Sequence, residues 1–163
     1  MIRSFSGKFR FLSNFHPAEV EMPLAIVEGR TPMITLPTVE HAYQASKAGT
    51  FLQFVCQTDT TLRKYRQLTP GQTKRLGRQV SLRPGWDEAR LEVMEYLLTQ
   101  KFAPGTELAE SLRRTGNQPL VEGNRWHDNF WGVCECSKCR TQGATNHLGV
   151  LLMKIRRELR DGS

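Results

Sequence analysis

The sequence pattern changes from strand-like to helical at Pro37-Thr38-Val39-Glu40-His41-Ala42-Tyr43-Gln44-Ala45-Ser46-Lys47. Thr38 is a residue type that caps helix N-termini, and Glu40 places a carboxylate in the first turn, where the helix dipole favours negative charge. These signals predict a helix that runs through this segment and stops at the glycine after it. Glu40, Tyr43 and Lys47 recur at spacings of three and four residues, so they share one helix face. From the spacing alone, a solvated face is the simpler interpretation and a binding site is the alternative.

Upstream of this helix, the pattern is typical of short strands. Phenylalanines alternate with polar or small residues over positions 5–11, which predicts a strand or hairpin. Two more strands are predicted at residues 20–22 and 33–36, with a turn at residues 28–32 between them. The amino-terminal third is therefore expected to be rich in β-structure.

Downstream, helical signals dominate. Thr69 and Pro70, with Gln72 three residues after the cap, form a helix-start signal. Apolar side chains repeat on one face near the carboxyl end, and a short strand is expected at residues 120–121. The other predicted helices cover residues 60–68, 86–102, 107–113 and 146–160. The sequence thus predicts one α+β domain over residues 1–163, mainly helical, with a small amino-terminal β-element.

Composition restricts the class of protein. Hydrophobic residues make up 39% of the 163 residues and charged residues 24%, which excludes a fibre or a disordered tail. Lys and Arg outnumber Asp and Glu by 23 to 16, and the net charge of +7 favours phosphate-bearing partners such as nucleotides, DNA or RNA. A basic protein without such a partner is the alternative. No apolar run is long enough to span a bilayer, and the N-terminus has no apolar signal region, so we expect a cytoplasmic protein that does not contact membranes.

Several familiar catalytic motifs are absent. The sequence contains no GxxxxGK[ST], no GxGxxG after a strand, no GxSxG and no HExxH. P-loop hydrolysis, Rossmann cofactor chemistry, α/β-hydrolase chemistry and zincin proteolysis are therefore disfavoured.

Two segments combine aromatic rings with polar groups. In Trp126-His127-Asp128-Asn129-Phe130-Trp131-Gly132, the indoles could sandwich a planar base while the carboxylate holds ribose hydroxyls or acts as acid or base. A turn packed into the core is an equal alternative. In the second segment, Lys74, Arg78 and Arg83 precede Trp86, and they offer donors for phosphate oxygens beside a stacking surface. A basic loop with a half-buried Trp explains that pattern as well.

Three cysteines lie within six residues, in Cys134-x-Cys136-x-x-Cys139. Thiolates at this spacing can hold zinc, and structural zinc sites have four ligands. His147 is taken as the first candidate for the fourth ligand, with His127 and Cys56 as alternatives. Reduced, metal-free cysteines are the simpler interpretation. If zinc binds, a structural role is favoured, because catalytic zinc keeps one position open.

Taken together and in order, a set of segments resembles the NADAR family, also called YbiA-like. The resemblance covers nearly the whole chain. The matching segments are Leu12-Ser13-Asn14-Phe15-His16-Pro17, then Pro37 to Lys47, then Gly77-Arg78, Leu82-Arg83 and Trp86, then Met94, Leu98 and Lys101-Phe102, then Leu120-Val121-Glu122, then Asp128-Asn129-Phe130-Trp131-Gly132, and finally Asn146-His147-Leu148-Gly149 with Leu152-Met153, Arg156 and Glu158-Leu159.

The resemblance implies a YbiA-like α+β fold with a pocket for a nucleotide or ADP-ribose moiety. It also implies an N-glycosidase, a hydrolase that cuts a ribose C1–N bond and needs no cofactor for catalysis. One branch of the family acts on early riboflavin-biosynthesis intermediates that carry a phosphoribosyl group, and another removes ADP-ribose from guanine in DNA. The basic charge favours the DNA branch as the first expectation. A non-catalytic ADP-ribose-binding module and a zinc-stabilised nucleic-acid-binding module are the alternatives.

The resemblance also implies site residues. Glu40 is the first candidate for a carboxylate beside C1, because this cleavage builds positive charge on the sugar ring. Asp128 is the second candidate, either positioning ribose hydroxyls or sharing the acid/base work. Lys101 is the weakest phosphate partner, since it could equally be a helix-surface lysine. The residues implied in substrate binding are Asn14, Tyr43, Lys47, Arg78, Trp86, Lys101, Trp126, Trp131 and Asn146.

The sequence departs from the family pattern between Gly132 and Asn146. Some members carry a short glycine-rich loop there, whereas this chain has a longer loop that holds the three cysteines. We expect a structural zinc, if present, to brace this loop, and the loop to influence which substrate enters.

Overall fold

The computed structural model describes residues 1–23, 33–48, 59–139 and 141–162. The chain forms two compact units. We call Asn14–Lys101 the central unit, and Met1–Ser13 together with Phe102–Ser163 the terminal unit. The turn predicted at residues 28–32, the helix end predicted at Gly49 and the candidate ligand Cys56 lie outside the described residues.

An antiparallel strand pair, β1 (Val20–Pro23) and β2 (Met33–Leu36), opens the central unit. The register places Val20 opposite Leu36 and Met22 opposite Ile34. All four side chains are buried, because alternate residues of a strand point to the same side. Both predicted strands are thus confirmed.

The first helix, α1 (Val39–Ser46), is almost entirely buried. The Thr38 hydroxyl accepts a hydrogen bond of 3.2 Å from the backbone N–H of His41, which confirms the predicted cap. Glu40 and Tyr43 are both 5% exposed and Lys47 is half-buried, so the interpretation of their shared face as solvated is wrong.

Three further helices complete the described part of the central unit. The helix start predicted at Thr69 is confirmed by a capping box, in which Thr69 Oγ1 accepts from Gln72 N–H and Gln72 Oε1 accepts from Thr69 N–H. These helices are α2 (Asp59–Gln67), α3 (Pro70–Gly77) and α4 (Trp86–Lys101). Helix α1 packs against α3, α4 and both strands, and is therefore the core of this unit.

The terminal unit begins with a 3₁₀ helix and not with a strand. The strand predicted over residues 5–11 is instead a 3₁₀ helix, Gly7–Leu12. Gly7 has φ +54°, a conformation that glycine adopts without steric cost, and this turns the chain out of the extended backbone of Ser6. Leu12 is fully buried, whereas Phe9 and Phe11 are only half-buried, so the alternation of aromatic residues did not mark a sheet face.

Helices α5 (Glu107–Arg114) and α6 (His147–Asp161) pack together in the terminal unit. The predicted strand at residues 120–121 is reduced to a single bridge between Ile2 and Leu120. Two short parallel strands follow it, β3 (Gly123–Asn124) and β4 (Val133–Cys134).

The predicted apolar stripe of α6 is buried at four positions, and one cation of this helix is buried as well. Arg156 is only 6% exposed. Its guanidinium donates to Thr115 Oγ1 at 2.7 Å and to the Gln118 carbonyl at 2.9 Å, because a buried charge must be hydrogen-bonded. The four buried apolar residues are Leu148, Leu151, Leu152 and Ile155.

None of the described helices combines the length and the apolar character that crossing a lipid bilayer requires.

Candidate functional site

A buried carboxylate lies at the start of α1. The backbone N–H of Glu40 donates to the carbonyl of Asn14 at 3.1 Å, and its side chain is 5% exposed. Glu40 Oε1 accepts a hydrogen bond of 2.7 Å from Gln44 Nε2, one helical turn further on. Since burying a carboxylate is costly unless it is hydrogen-bonded, this amide helps to hold Glu40 in the interior.

Two buried carboxamides of the central unit keep an unused acceptor. Gln44 Oε1 and Asn14 Oδ1 have no hydrogen-bond partner among the described residues, and Asn14 Nδ2 lies 3.5 Å from Met94 Sδ. Buried polar atoms without partners are rare in folded proteins, so each requires an explanation such as a ligand that is bound in function. Gln44 lay inside the segment singled out from the sequence, but its position one turn after Glu40 was the only signal of its role.

The Gln44 side chain occupies the space where a side chain at residue 77 would lie. A Cβ at Gly77 would overlap the Gln44 side-chain carbonyl oxygen, so only glycine allows α3 to approach α1 this closely. The position of Gln44, and through it the orientation of the Glu40 carboxylate, therefore depends on the absence of a side chain at residue 77.

Three cations act on the same region. Burial lowers the pKa of Lys47, the Glu40 carboxylate raises it, and the charges of Lys74 and Arg78 lower it further. Glu40, Lys74 and Arg78 thus all lie within electrostatic reach of the Lys47 ammonium. Because the repulsion among like charges is relieved by an anion, this group is suited to a phosphate.

The predicted stacking residue Trp86 belongs to the core of the central unit. It is 4% exposed, and its ring centroid lies 5.3 Å from that of Tyr43. The Arg83 guanidinium lies 5.5 Å from the Trp86 ring, which is a cation–π contact. Lys47 Nζ lies 5.4 Å from the Tyr43 ring, so Tyr43 connects the tryptophan to the basic group.

His41 has a structural role that the sequence did not reveal. Its Nε2 lies 2.9 Å from the Leu68 carbonyl, and its Nδ1 lies 2.7 Å from Thr38 Oγ1. A carbonyl can only accept, so Nε2 carries the proton and Nδ1 accepts from the Thr38 hydroxyl. Burial lowers the pKa of His41, and the neutral ring therefore links α1 to the end of α2.

Lys101 is a buried cation at the end of α4. It is 2% exposed, so the alternative of a helix-surface lysine is wrong. Burial lowers its pKa to about 7, because the charged form loses its hydration in the interior.

In the terminal unit, Asp128 organises a tight turn. Its Oδ1 accepts from the backbone N–H of Phe130 at 3.1 Å and of Trp131 at 2.8 Å. Asn124 stabilises the same turn, because its Nδ2 donates a 2.7 Å hydrogen bond to the Asp128 carbonyl. The Trp131 ring is half-buried and perpendicular to the Phe130 ring, with 4.9 Å between the two ring centroids, whereas Trp126 is 55% exposed.

Both ends of the Asn146 side-chain amide bind backbone groups. Its Oδ1 accepts from Glu122 N–H at 3.0 Å and its Nδ2 donates to the Leu120 carbonyl at 2.9 Å. Its backbone is left-handed, with φ 48°, which asparagine tolerates better than most residues. Both ends of the amide therefore join the start of α6 to residues 120–122.

The three cysteines come together with His127, and not with His147, which was the first candidate. One ligand atom from each of the four residues lies within 4.8 Å of all the others. His127 Nδ1 is 3.2 Å from Cys139 Sγ and 3.3 Å from Cys136 Sγ. His147 packs its ring 4.4 Å from that of Phe130. The cluster could hold a metal ion.

Hydrogen bonds stabilise a thiolate within this cluster. Burial opposes the ionisation of Cys136, but hydrogen bonds from Cys134 and from the backbone N–H groups of Cys139 and Lys138 outweigh it and lower the pKa of Cys136 to about 6.

The predicted site residues are divided between the two units. The central unit contains Asn14, Glu40, Tyr43, Lys47, Arg78, Trp86 and Lys101. The terminal unit contains Trp126, Asp128, Trp131, Asn146, His147 and the three cysteines.

Comparison with known proteins identifies relatives of the whole chain. The model of the NADAR domain family matches residues 3–160. An N-glycosidase of Nostoc punctiforme is 36% identical over 128 residues, which cover 76% of this chain and 74% of that protein. The riboflavin biosynthesis protein PYRR, chloroplastic, of Zea mays is 32% identical over 162 residues. A riboflavin biosynthesis protein of Vibrio vulnificus is 32% identical over 155 residues. Each of these two matches covers 93% of this chain, but only 23% and 36% of the respective relative.

A solved structure confirms the fold. The NMR structure of the E. coli protein YbiA aligns with 99% of this chain and 84% of its own, at 29% identity and a TM-score of 0.66. The predicted YbiA-like α+β fold is therefore correct, and the relative named an N-glycosidase agrees with the predicted enzyme class. Because the family model covers residues 3–160 and so both units, the chain belongs to the NADAR domain family.

Proposed function

We propose that this chain hydrolyses the bond between C1 of a phosphate-bearing ribosyl group and a nitrogen of a base, with ADP-ribosylated guanine in DNA as the first candidate substrate. The observation that carries the proposal is the buried Glu40 carboxylate within electrostatic reach of Lys47, whose ammonium also lies within reach of the charges of Lys74 and Arg78. The name of the Nostoc punctiforme relative, an N-glycosidase, supports this reaction class.

Glu40 supplies the negative charge that the reaction needs. As the C1–N bond breaks, its electron pair leaves with the base nitrogen and positive charge develops on the sugar ring. A carboxylate near C1 stabilises that charge and accepts a proton from the water whose hydroxyl bonds to C1. That proton balances the one taken up by the departing base nitrogen, so the products are the sugar with a C1 hydroxyl and the free N–H base. Gln44 fixes the orientation of the carboxylate through its 2.7 Å hydrogen bond.

The surrounding polar groups match a phosphorylated ribose. Lys47, Lys74 and Arg78 would bind the phosphate oxygens, since charge-assisted hydrogen bonds to phosphate are among the strong ones. The unused acceptor Asn14 Oδ1 would receive a hydrogen bond from a ribose hydroxyl, which is a donor as well as an acceptor.

The other candidates take supporting roles in this proposal. Asp128 is assigned to positioning, because its Oδ1 already holds the Phe130 and Trp131 amides. Trp131 remains the stacking candidate, since its ring is half-buried, whereas Trp86 and Tyr43 support the basic group from within the core. The proposal places no metal or cofactor at the reacting atoms.

The DNA substrate is favoured by the net charge of +7, because a basic surface attracts a polyanion. A second candidate, the phosphoribosyl intermediates of riboflavin biosynthesis, is favoured by the names of the Zea mays and Vibrio vulnificus relatives. A non-catalytic ADP-ribose-binding module would retain the cations but would have no use for Glu40.

Two parallel incubations test the proposal. The protein is mixed with DNA carrying ADP-ribosyl guanine and, separately, with phosphoribosyl-pyrimidine intermediates, and the release of ADP-ribose or of the pyrimidine is measured. We expect release in the first mixture, at a rate that falls as salt rises, because contacts with DNA phosphates displace counterions. Release only in the second mixture would transfer the assignment to the riboflavin intermediate. Binding of ADP-ribose without release from either substrate would contradict the enzymatic proposal.

A further inference from the structure

We propose that His127, Cys134, Cys136 and Cys139 bind one structural zinc ion in the terminal unit. This metal site does not depend on the proposed function, because its geometry and its test involve neither Glu40 nor a substrate.

The distances agree with a single tetrahedral ion. Zinc–sulfur bonds of about 2.3 Å and zinc–nitrogen bonds of about 2.0–2.1 Å separate the ligand atoms of a tetrahedron by roughly 3.5–3.8 Å. The four ligand atoms here lie within 4.8 Å of one another, and His127 Nδ1 is 3.2 Å from Cys139 Sγ. One ion at the centre would require only small adjustments of side chains.

Three backbone segments position the four metal-binding side chains. Cys134 ends β4 and pairs in register with Asn124 of β3. Cys136 and Cys139 are the two ends of a turn closed by a 3.1 Å hydrogen bond from Cys139 N–H to the Cys136 carbonyl. The backbone of His127 is left-handed, with φ 65°, a conformation that is uncommon outside glycine and that recurs at functional sites.

The donor set selects the metal. Soft thiolates and an imidazole suit zinc, whereas magnesium and calcium prefer oxygen ligands. Three sulfurs and one nitrogen fill all four positions of a tetrahedron, so no position remains open for a water or a substrate. The ion would therefore be structural rather than catalytic. The three cysteines are free thiols, so they are available as ligands.

The metal-binding residues lie on both sides, in sequence, of the turn that contains Asp128 and Trp131. His127 precedes this turn directly, and Cys134 follows it at the end of β4. An ion bound to both would hold the two ends of residues 127–134 together, in addition to the hydrogen bonds that Asn124 donates and the Asp128 carboxylate accepts. The expectation that metal loss also lowers enzymatic activity rests on the proposed function, whereas metal binding itself does not.

The full chain, purified under reducing conditions without chelator, is analysed for metal by mass spectrometry of the digested protein. We expect one zinc per chain. Replacement by Co²⁺ should give the intense sulfur-to-cobalt charge-transfer bands and visible bands of a tetrahedral thiolate site. A metal content no higher than that of buffer, even after reconstitution with Zn²⁺, would overturn the proposal. A disulfide between two of these cysteines in freshly purified, metal-free protein would also overturn it.

Matched variants identify the ligands. Cys136→Ser and His127→Ala change half-buried and exposed side chains, so we expect them to fold and to lose zinc or the cobalt spectrum. His147→Asn and Cys56→Ser are the controls, and we expect both to retain one zinc per chain. Full occupancy in Cys136→Ser, or loss of zinc in His147→Asn together with retention in His127→Ala, would refute the ligand assignment. If Cys136→Ser proves insoluble, a competing chelator is added to the cobalt-substituted unmodified protein instead. Loss of the cobalt spectrum without global unfolding supports a local structural site. Failure of the unmodified protein to bind Co²⁺ at all contradicts the proposal.

Discussion

Gln44 Nε2 donates a 2.7 Å hydrogen bond to Glu40 Oε1, and both side chains are buried in the central unit. The two residues are four positions apart on α1, so the helix itself sets their separation. The side-chain carbonyl oxygen of Gln44 packs against Gly77 and has no hydrogen-bond partner among the described residues. A carboxylate, the amide that orients it and the glycine that makes room for that amide thus form one connected arrangement.

Replacing Glu40 by Gln should abolish most turnover while leaving ligand binding largely intact. The new carboxamide can still accept the hydrogen bond from Gln44, but it carries no charge to stabilise a cationic sugar ring. Loss of a positioned acid or base costs about 10²–10⁴ in rate. The checks are the rate of base release and the affinity for ADP-ribose measured by calorimetry, with Glu88→Gln on the exposed start of α4 as the control. Turnover of Glu40→Gln near that of the unmodified enzyme would refute the role of Glu40.

Substituting Gly77 by Ala should destabilise the fold. The added methyl group would overlap the Gln44 carboxamide, and inserting a methyl into a packed interior costs about 1–3 kcal/mol. Gly71→Ala, in the same helix, has nothing within 4 Å of the new methyl and isolates the steric effect from helix propensity. Urea unfolding of the two variants measures the difference. Equal free energies of unfolding would show that α3 moves away from α1 without cost.

Local signals in the sequence predicted much of the central unit. Thr38 and the Thr69–Gln72 capping box were predictable, because a cap depends only on side chains and backbone a few residues apart. The burial of Glu40 and Tyr43 was not predictable in this way. Spacing shows which residues share a helix face, but not whether that face meets solvent or another element.

The terminal unit shows the same limit for the metal ligands. The Cys136-x-x-Cys139 spacing is visible in the sequence, but the choice between His127 and His147 depends on the left-handed backbone at His127 and on the pairing of β3 with β4. The 3₁₀ helix at Gly7–Leu12 was missed for a related reason, because a single positive φ at Gly7 overrode the alternation of the phenylalanines.

Asp128→Asn should retain activity within a few-fold of the unmodified enzyme, if Asp128 acts by positioning. The asparagine Oδ1 can still accept from the Phe130 and Trp131 amides, whereas Asp128→Ala removes both hydrogen bonds and should cost about 1–3 kcal/mol of stability. Turnover and thermal unfolding of the two variants distinguish these effects. A loss of turnover in Asp128→Asn as large as that in Glu40→Gln would mean that the carboxylate itself takes part in the reaction.

Lys101 should make stability depend on pH in the alkaline range. Burial lowers its pKa from an ordinary 10.5 to about 7 in the folded protein, so between these values the unfolded chain binds a proton that the folded chain does not. The stability is therefore complete above pH 10.5, falls as the pH is lowered towards 7, and stays at its reduced level below 7. Relative to Lys101→Met, which has no ionisable group there, the free energy of unfolding should rise with pH by up to about 1.4 kcal/mol per pH unit across this window. Chemical unfolding of both proteins at several pH values measures the slope, and Lys64→Met, at an exposed position of α2, should show no such dependence. A pH-independent difference between the unmodified protein and Lys101→Met would mean that Lys101 keeps its charge in the folded state.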